Sequence, residues 1–174
     1  MADISFPTDL ENYMAARLFE PLSCSIHFPR HNEKVFQNGL AMPGKNTPRV
    51  LYIEDHDDTR ELVTLVLEQR GFEVTTGTTI RSGIALAGSQ QFDLYLLDSW
   101  LPDGSGLDLC RQIRELDKVT PILFYSAAAY EIDKALAINS GAQAYLIKPS
   151  QPSELCNLVT SLIESHRRYD RIAV

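Results

Sequence analysis

Short apolar runs alternate with segments of helical period along most of this sequence. Five runs are rich in the β-branched and aromatic residues that favour strands. These runs are Arg49–Ile53, Phe72–Thr76, Leu94–Leu97, Ile122–Tyr125 and Ala144–Ile147. Between them, apolar residues recur three and four positions apart, as they do on the buried face of a helix. The pattern predicts five strand and helix pairs.

The predicted helices are delimited by glycine and proline. One joins Leu62 to Gln69 and ends at Gly71, a residue type favoured at helix C-termini. The others cover Thr79–Gly88, the residues after Gly106, those before Gly141, and those after Pro152. Strict alternation of this kind requires parallel strands joined by right-handed crossovers, with helices on both faces of the sheet. The sequence therefore predicts a doubly wound α/β domain.

Polar residues occupy the ends of four predicted strands. Glu54 and Asp55 follow the first strand, Asp98 the third, Ser126 the fourth and Lys148 the fifth. Ligands of such folds bind beyond the carboxyl ends of the strands, so we expect these side chains to form one site. Carboxylates about 4 Å apart repel by roughly 4 kcal/mol at an effective dielectric near 20, which favours a bound dication. Oxygen ligands favour Mg²⁺ over Zn²⁺.

The same residue types suit phosphoryl transfer. A carboxylate can attack phosphorus and hold it as an acyl phosphate, which makes Asp98 the candidate nucleophile. Lys148 supplies a compact cation for the phosphoryl oxygens, and the Ser126 hydroxyl can donate one hydrogen bond to them. Any one of these residues could instead be a helix cap or a surface charge. Their joint occurrence at strand ends indicates a site.

Composition and charge narrow the class of protein. The 174 residues, 44% of them hydrophobic, suffice for one domain with a core and additional segments. No run is long enough to span a membrane and no secretory signal precedes the domain, so we expect a cytoplasmic protein without a membrane partner. The net charge of −7 predicts that there is no nucleic-acid partner. Cys110 and Cys156 occupy apolar helical positions, which predicts buried, unreactive thiols.

Residues 1–47 form an N-terminal extension that is interrupted by four prolines. Thr8 and Glu11 have the spacing of a capping box, which predicts a short helix over Asp9–Phe19 in an otherwise flexible segment. The extension could dock on the domain or a partner, remain a free tail, or lie upstream of a natural start at Met42. The extension also contains three candidate metal ligands close together, Cys24, His27 and His31. Their spacing does not match the pattern of a structural zinc site. The domain is predicted over 48–168, with a tail at 169–174.

Four segments resemble the receiver domain of two-component response regulators. They are RVLYIEDH, FDLYLLDSWLPDGSGLDLCRQIR, TPILFYSAAA and GAQAYLIKPS, and the resemblance covers Thr47 to about His166. It implies a flavodoxin-like sheet with strand order 2-1-3-4-5. It also implies that Asp98 is the phosphoacceptor, that Glu54 and Asp55 hold Mg²⁺, and that the backbone carbonyl of Trp100 is the remaining protein ligand.

The resemblance further assigns the parts of a conformational switch. Ser126 matches the switch hydroxyl, and Tyr145 matches an aromatic whose ring turns inward on activation. Lys148 matches the lysine of the family, and the bond between Lys148 and Pro149 matches one that is cis. The alternative interpretation of Tyr145 is a half-buried strand aromatic.

By the same resemblance, a sensor histidine kinase or a histidine phosphotransfer protein donates the phosphoryl group. The chain is then a phosphoacceptor that can lose its own phosphoryl group, not a turnover enzyme. Few residues follow the last helix, so we expect no attached output domain and an unknown downstream protein target. Phosphorelay, direct target binding, a phosphate sink and a homodimer formed on phosphorylation all stay open. The alternative function is a protein-interaction module that works without phosphorylation.

Three features qualify the resemblance, and two other classes of protein fit the sequence less well. Glu54 stands where aspartate is usual, and Trp100 is predicted to slow phosphoryl hydrolysis by crowding the attacking water. Ala128 offers no polar side chain two residues after Ser126. A dehalogenase-type phosphatase would need a general acid at the position of Trp100. A flavin carrier would need a phosphate loop where Glu54 and its acidic neighbours would repel phosphate.

Overall fold

The computed structural model describes residues 47–172. In chain order the elements are β1 (Arg49–Ile53), α1 (Asp57–Gln69), β2 (Glu73–Gly77), α2 (Ile80–Ser89), β3 (Leu94–Leu97), β4 (Trp100–Leu101), β5 (Gly104–Ser105), α3 (Gly106–Leu116), β6 (Ile122–Ser126), α4 (Glu131–Asn139), β7 (Ala144–Ile147) and α5 (Pro152–Ile172). The predicted helix over Asp9–Phe19 and the candidate ligands Cys24, His27 and His31 lie outside these residues.

Five strands form one parallel sheet in the order β2-β1-β3-β6-β7. Counted among the strands of this sheet alone, the order is the predicted 2-1-3-4-5, and the predicted fold class is confirmed. The sequence did not predict β4 and β5, a separate antiparallel pair of two residues each. Strands that short carry too few residues for an alternating pattern.

Helices cover both faces of the sheet because successive strand residues point to opposite sides. Val50 and Tyr52 belong to the core cluster that includes α1 and α5 residues such as Leu67 and Val159. On the other side, Leu51 and Ile53 belong to the cluster with α3 residues. The cysteines of both clusters are buried, as predicted: Cys110 in α3 and Cys156 in α5.

Caps and positive backbone angles fix where several helices begin and end. The Thr79 side chain accepts a hydrogen bond from the Ser82 amide at the start of α2, and Ser105 does the same for Leu107 in α3. Gly71 follows α1 with φ at 86°. The last helix continues to Ile172 and so includes most of the predicted tail. Within residues 47–172, no helix has both the length and the apolar character needed to cross a membrane.

Candidate functional site

Three carboxylates converge at the carboxyl edge of the sheet. The Glu54 amide donates to the Gly77 carbonyl at 3.0 Å, and the Asp98 amide donates to the Ile53 carbonyl at 3.0 Å, which fixes both residues at adjoining strand ends. One oxygen each from Glu54, Asp55 and Asp98 lie within 4.8 Å of one another. Glu54 is 3% exposed and Asp98 7%, whereas Asp55 is exposed to solvent. The cluster is therefore buried on one side and open on the other.

Lys148 is the cation of this cluster. Its Nζ donates to Asp98 Oδ1 at 3.0 Å and also to Glu54 Oε2. Its backbone amide donates to the Ser126 carbonyl at 2.9 Å, which ties the end of β7 to the end of β6. The Lys148–Pro149 bond is cis, as the resemblance implied. One lysine against three carboxylates leaves the site negatively charged.

The donor set fits a hard divalent cation. All the clustered side chains are carboxylates, without histidine or cysteine among them. Oxygen ligands of this kind suit Mg²⁺ or Ca²⁺, whereas Zn²⁺ sites use nitrogen or sulfur ligands. The Trp100 amide donates to Asp98 Oδ2 at 3.0 Å, so the Trp100 backbone adjoins the acidic cluster. The assignment of its carbonyl as a metal ligand stays a prediction.

Ser126 and Tyr145 lie on neighbouring strands. Ser126 ends β6 and is fully buried, and its Oγ accepts a long hydrogen bond of 3.4 Å from the Ala128 amide. Tyr145 is half-buried, donates to the Ala128 carbonyl at 2.6 Å, and stacks on Phe124 with ring centroids 6.0 Å apart. The Tyr145 hydroxyl is also 3.5 Å from Ser99 Oγ. The switch roles of both residues stay predictions.

Tyr52 contacts the site, although sequence reasoning did not single it out. Its hydroxyl donates to Glu54 Oε2 at 2.9 Å from a fully buried position in β1. Burial raises the pKa of Tyr52, and the Glu54 carboxylate raises it further, so this hydroxyl keeps its proton. The available signal was the spacing of two residues, which puts both side chains on one side of the strand.

Gly106 is a second contact that the sequence reasoning missed. A Cβ atom at this position would lie 1.9 Å from the carbonyl oxygen of Asp98. The Gly106 amide donates to the Ser99 carbonyl at 2.9 Å, so the start of α3 lies directly against the backbone of the candidate nucleophile. Sequence reasoning used Gly106 only as a helix boundary, whereas its function is to allow this close approach.

Comparison with known proteins identifies the family. The family model for the response regulator receiver domain matches residues 50–160. The chain therefore belongs to the response regulator receiver domain family, as the sequence motifs indicated.

The curated relatives are about twice as long as the segment that matches this chain. A probable transcriptional regulatory protein of Picosynechococcus is 38% identical over 114 residues, which cover 62% of this chain and 45% of that protein. The transcriptional regulatory protein CreB of Escherichia coli is 33% identical over 120 residues, covering 69% of this chain and 52% of CreB. The chain thus spans about half the length of the curated relatives it matches.

Solved structures share the fold along nearly their whole length. A CheY-like receiver domain protein of Methanospirillum hungatei is 25% identical with a TM-score of 0.69, over 71% of this chain and 99% of that one. The receiver domain of the sensor histidine kinase PA1611 of Pseudomonas aeruginosa, solved with magnesium in its active-site cleft, is 26% identical with a TM-score of 0.64. That match covers 68% of this chain and 99% of the other.

The relatives contradict one prediction about partners. The sequence predicted no nucleic-acid partner, whereas the curated relatives are named as transcriptional regulatory proteins. The prediction was wrong because it used the net charge of −7 as a test of the whole protein's partners. Net charge describes the surface of this chain only, and the relatives regulate transcription with chains about twice as long as the matching part.

Proposed function

We propose that this protein accepts a phosphoryl group on Asp98 from a phosphohistidine of a sensor histidine kinase or a histidine phosphotransfer protein. The observation that carries the proposal is the position of Lys148, whose Nζ is 3.0 Å from Asp98 Oδ1 inside a cluster of three carboxylates. If Lys148 only formed an ion pair that stabilises the fold, one carboxylate would be enough. Two further acids beside it give the cluster the charge to hold a dication.

Each residue of the cluster has a proposed task. Asp98 is the nucleophile: an oxygen of its carboxylate forms the bond to phosphorus as the bond from phosphorus to the histidine nitrogen breaks. Glu54 and Asp55, with Asp98 and the Trp100 carbonyl, would hold Mg²⁺, which when bound neutralises charge on the phosphoryl oxygens. Lys148 exchanges its contact with Asp98 for a phosphoryl oxygen, as a compact cation can.

Output follows from a shift between two conformations. In this proposal, Ser126 moves away from its long contact with the Ala128 amide and its hydroxyl donates a hydrogen bond to a phosphoryl oxygen, while Tyr145 leaves the Ala128 carbonyl. The two states then differ in the surface around α4 and β7. The chain acts as a phosphoacceptor in the cytoplasm, not as a turnover enzyme. The names of its relatives favour transcription as the process that it controls.

The chemical nature of the adduct tests this proposal. Protein treated with a small acyl phosphate donor and Mg²⁺ is exposed to hydroxylamine, which cleaves acyl phosphates and leaves phosphate esters of serine or tyrosine intact. We expect a hydroxamate at Asp98 in the digested peptides. A label that resists hydroxylamine and maps to Ser126 would contradict the proposal, and an unlabelled but folded protein would favour the phosphorylation-independent interaction module.

A further inference from the structure

Tyr52 presents a fixed hydroxyl to the acidic cluster from inside the core. The residue is 0% exposed and belongs to the core cluster with Val50 and Leu96, so its ring has no room to turn away. Its hydroxyl donates to Glu54 Oε2 at 2.9 Å. A tyrosine has only two rotatable side-chain bonds, and both are fixed here by packing. The hydroxyl is therefore a preorganised donor.

The two oxygens of Glu54 have different partners. Oε2 accepts from both the Tyr52 hydroxyl and Lys148 Nζ. Oε1 has a long contact of 3.4 Å with the His56 amide. Donors thus occupy Oε2, which leaves Oε1 as the oxygen better able to meet a cation. The orientation of the whole carboxylate depends on what holds Oε2.

Lys148 alone cannot keep the Glu54 carboxylate in place while Asp98 is phosphorylated, because its Nζ also donates to Asp98 Oδ1 at 3.0 Å. In the proposed function, this lysine moves toward the phosphoryl oxygens. Tyr52 is then the donor that stays on Oε2, since its ring is packed in the core. Glutamate needs such a restraint more than aspartate does, because its extra methylene adds a rotatable bond that must be ordered.

We infer that Tyr52 is a positioning residue for divalent cation binding, whose hydroxyl orients Glu54 so that its Oε1 faces the acidic cluster. This inference rests on the proposed function. Groups that orient metal ligands by hydrogen bonding change metal affinity by about 10-fold or more when they are removed. Removal of the Tyr52 hydroxyl is therefore expected to weaken Mg²⁺ binding about 10-fold.

The test is a Mg²⁺ titration of the full chain without phosphodonor, followed by fluorescence. Trp100 is the sole tryptophan, and its amide donates to Asp98, so its emission reports on the cluster. Tyr52→Phe is compared with the matched control Tyr125→Phe. Tyr125 is also buried, and its hydroxyl accepts from Ser150 Oγ at 3.4 Å, whereas its ring, which phenylalanine retains, lies 5.3 Å from Lys148 Nζ. We expect weaker binding in Tyr52→Phe and near wild-type binding in Tyr125→Phe.

A double-mutant cycle separates positioning from general loss of stability. In a Glu54→Asp background the carboxylate is one methylene shorter, so we expect its hydrogen bond with the Tyr52 hydroxyl to be lost. Tyr52→Phe is then expected to have little further effect on Mg²⁺ affinity. Equal weakening in both backgrounds, or wild-type affinity in Tyr52→Phe alone, would overturn the inference while leaving the proposed function intact. A wild-type protein that binds no Mg²⁺ would overturn both.

Discussion

Lys148 Nζ lies 3.0 Å from Asp98 Oδ1, although 50 residues separate the two in sequence. Both side chains are about one-tenth exposed, and the same amine also donates to the nearly buried Glu54. Breaking a buried ion pair by removing one partner leaves the other charge unpaired in a poorly solvated place. The pair therefore links the chemistry of the site to the stability of the fold.

Replacement of Lys148 by methionine is expected to lower the free energy of unfolding by about 3 kcal/mol in metal-free buffer. The cause is the loss of the amine that donates to both Asp98 and Glu54. Urea unfolding measures the change. Lys134→Met is the control, because Lys134 pairs with the exposed Glu131 and should contribute less than about 1 kcal/mol. Equal, small losses in both variants would contradict this account.

Gly106→Ala is expected to disturb the site and the fold together. The added Cβ would lie 1.9 Å from the Asp98 carbonyl oxygen, so the backbone must shift, at a cost of about 3 kcal/mol. Thermal unfolding and the rate of phosphorylation by a small donor both measure the effect. Gly88→Ala in α2 is the matched control, because nothing lies within 4 Å of its Cβ position. The free energy of unfolding of that variant should rise by about 1 kcal/mol because alanine has the higher helix propensity. A Gly106→Ala protein as stable as Gly88→Ala would refute the close approach.

We predict from the sequence that the Trp100 side chain slows the loss of the phosphoryl group from Asp98. Trp100 is 69% exposed, and its backbone amide donates to Asp98 Oδ2 at 3.0 Å, which puts a large aromatic residue next to the candidate nucleophile. Trp100→Asn should therefore dephosphorylate several-fold faster than wild type, as followed by intact mass after removal of the donor. Tyr169→Asn, an exposed aromatic on α5, is the control. An unchanged lifetime in Trp100→Asn would show that the indole does not obstruct the water.

The buried thiol of Cys110 predicts a pH dependence. Burial raises the pKa of Cys110 from 9.0 to about 11, and the thiol donates to the Ser140 carbonyl at 3.2 Å. The folded state therefore holds its proton between these pH values while the unfolded state loses it, so stability should fall as pH rises from 9 toward 11.

Peptide mapping after labelling with an aromatic disulfide at pH below 9 should find Cys110 unlabelled in native protein and labelled in urea. Rapid labelling in the native state would contradict its burial.

Much of the fold could be predicted from the sequence because buried parallel strands read as continuous apolar runs. Three of the predicted strands, Arg49–Ile53, Leu94–Leu97 and Ala144–Ile147, have the observed bounds. The clustering of Glu54, Asp55, Asp98 and Lys148 followed from one geometric rule, that parallel strands end at a common edge. Neither step required knowledge of any side-chain packing.

The features that were missed depend on how side chains and helices pack in the folded protein, or on strands that are too short to form a pattern. In the sequence, Tyr52 is one residue of an apolar run. The hydrogen bond from its hydroxyl to Glu54 is seen in the folded strand. Gly106 could be recognised as a helix boundary, but its approach to Asp98 depends on how α3 packs. Partners were harder to predict than the site, because the net charge of this chain gives no information about the additional segments of its longer relatives.

The most direct test of the central claim is the intact mass of the protein after incubation with acetyl phosphate, with and without Mg²⁺, beside an Asp98→Asn control. We predict one phosphoryl adduct that requires Mg²⁺ and is absent from Asp98→Asn, because the carboxylate of Asp98 is the nucleophile beside Lys148. Circular dichroism establishes that each protein is folded. An adduct of equal yield in Asp98→Asn, or none in folded wild-type protein, would contradict the account.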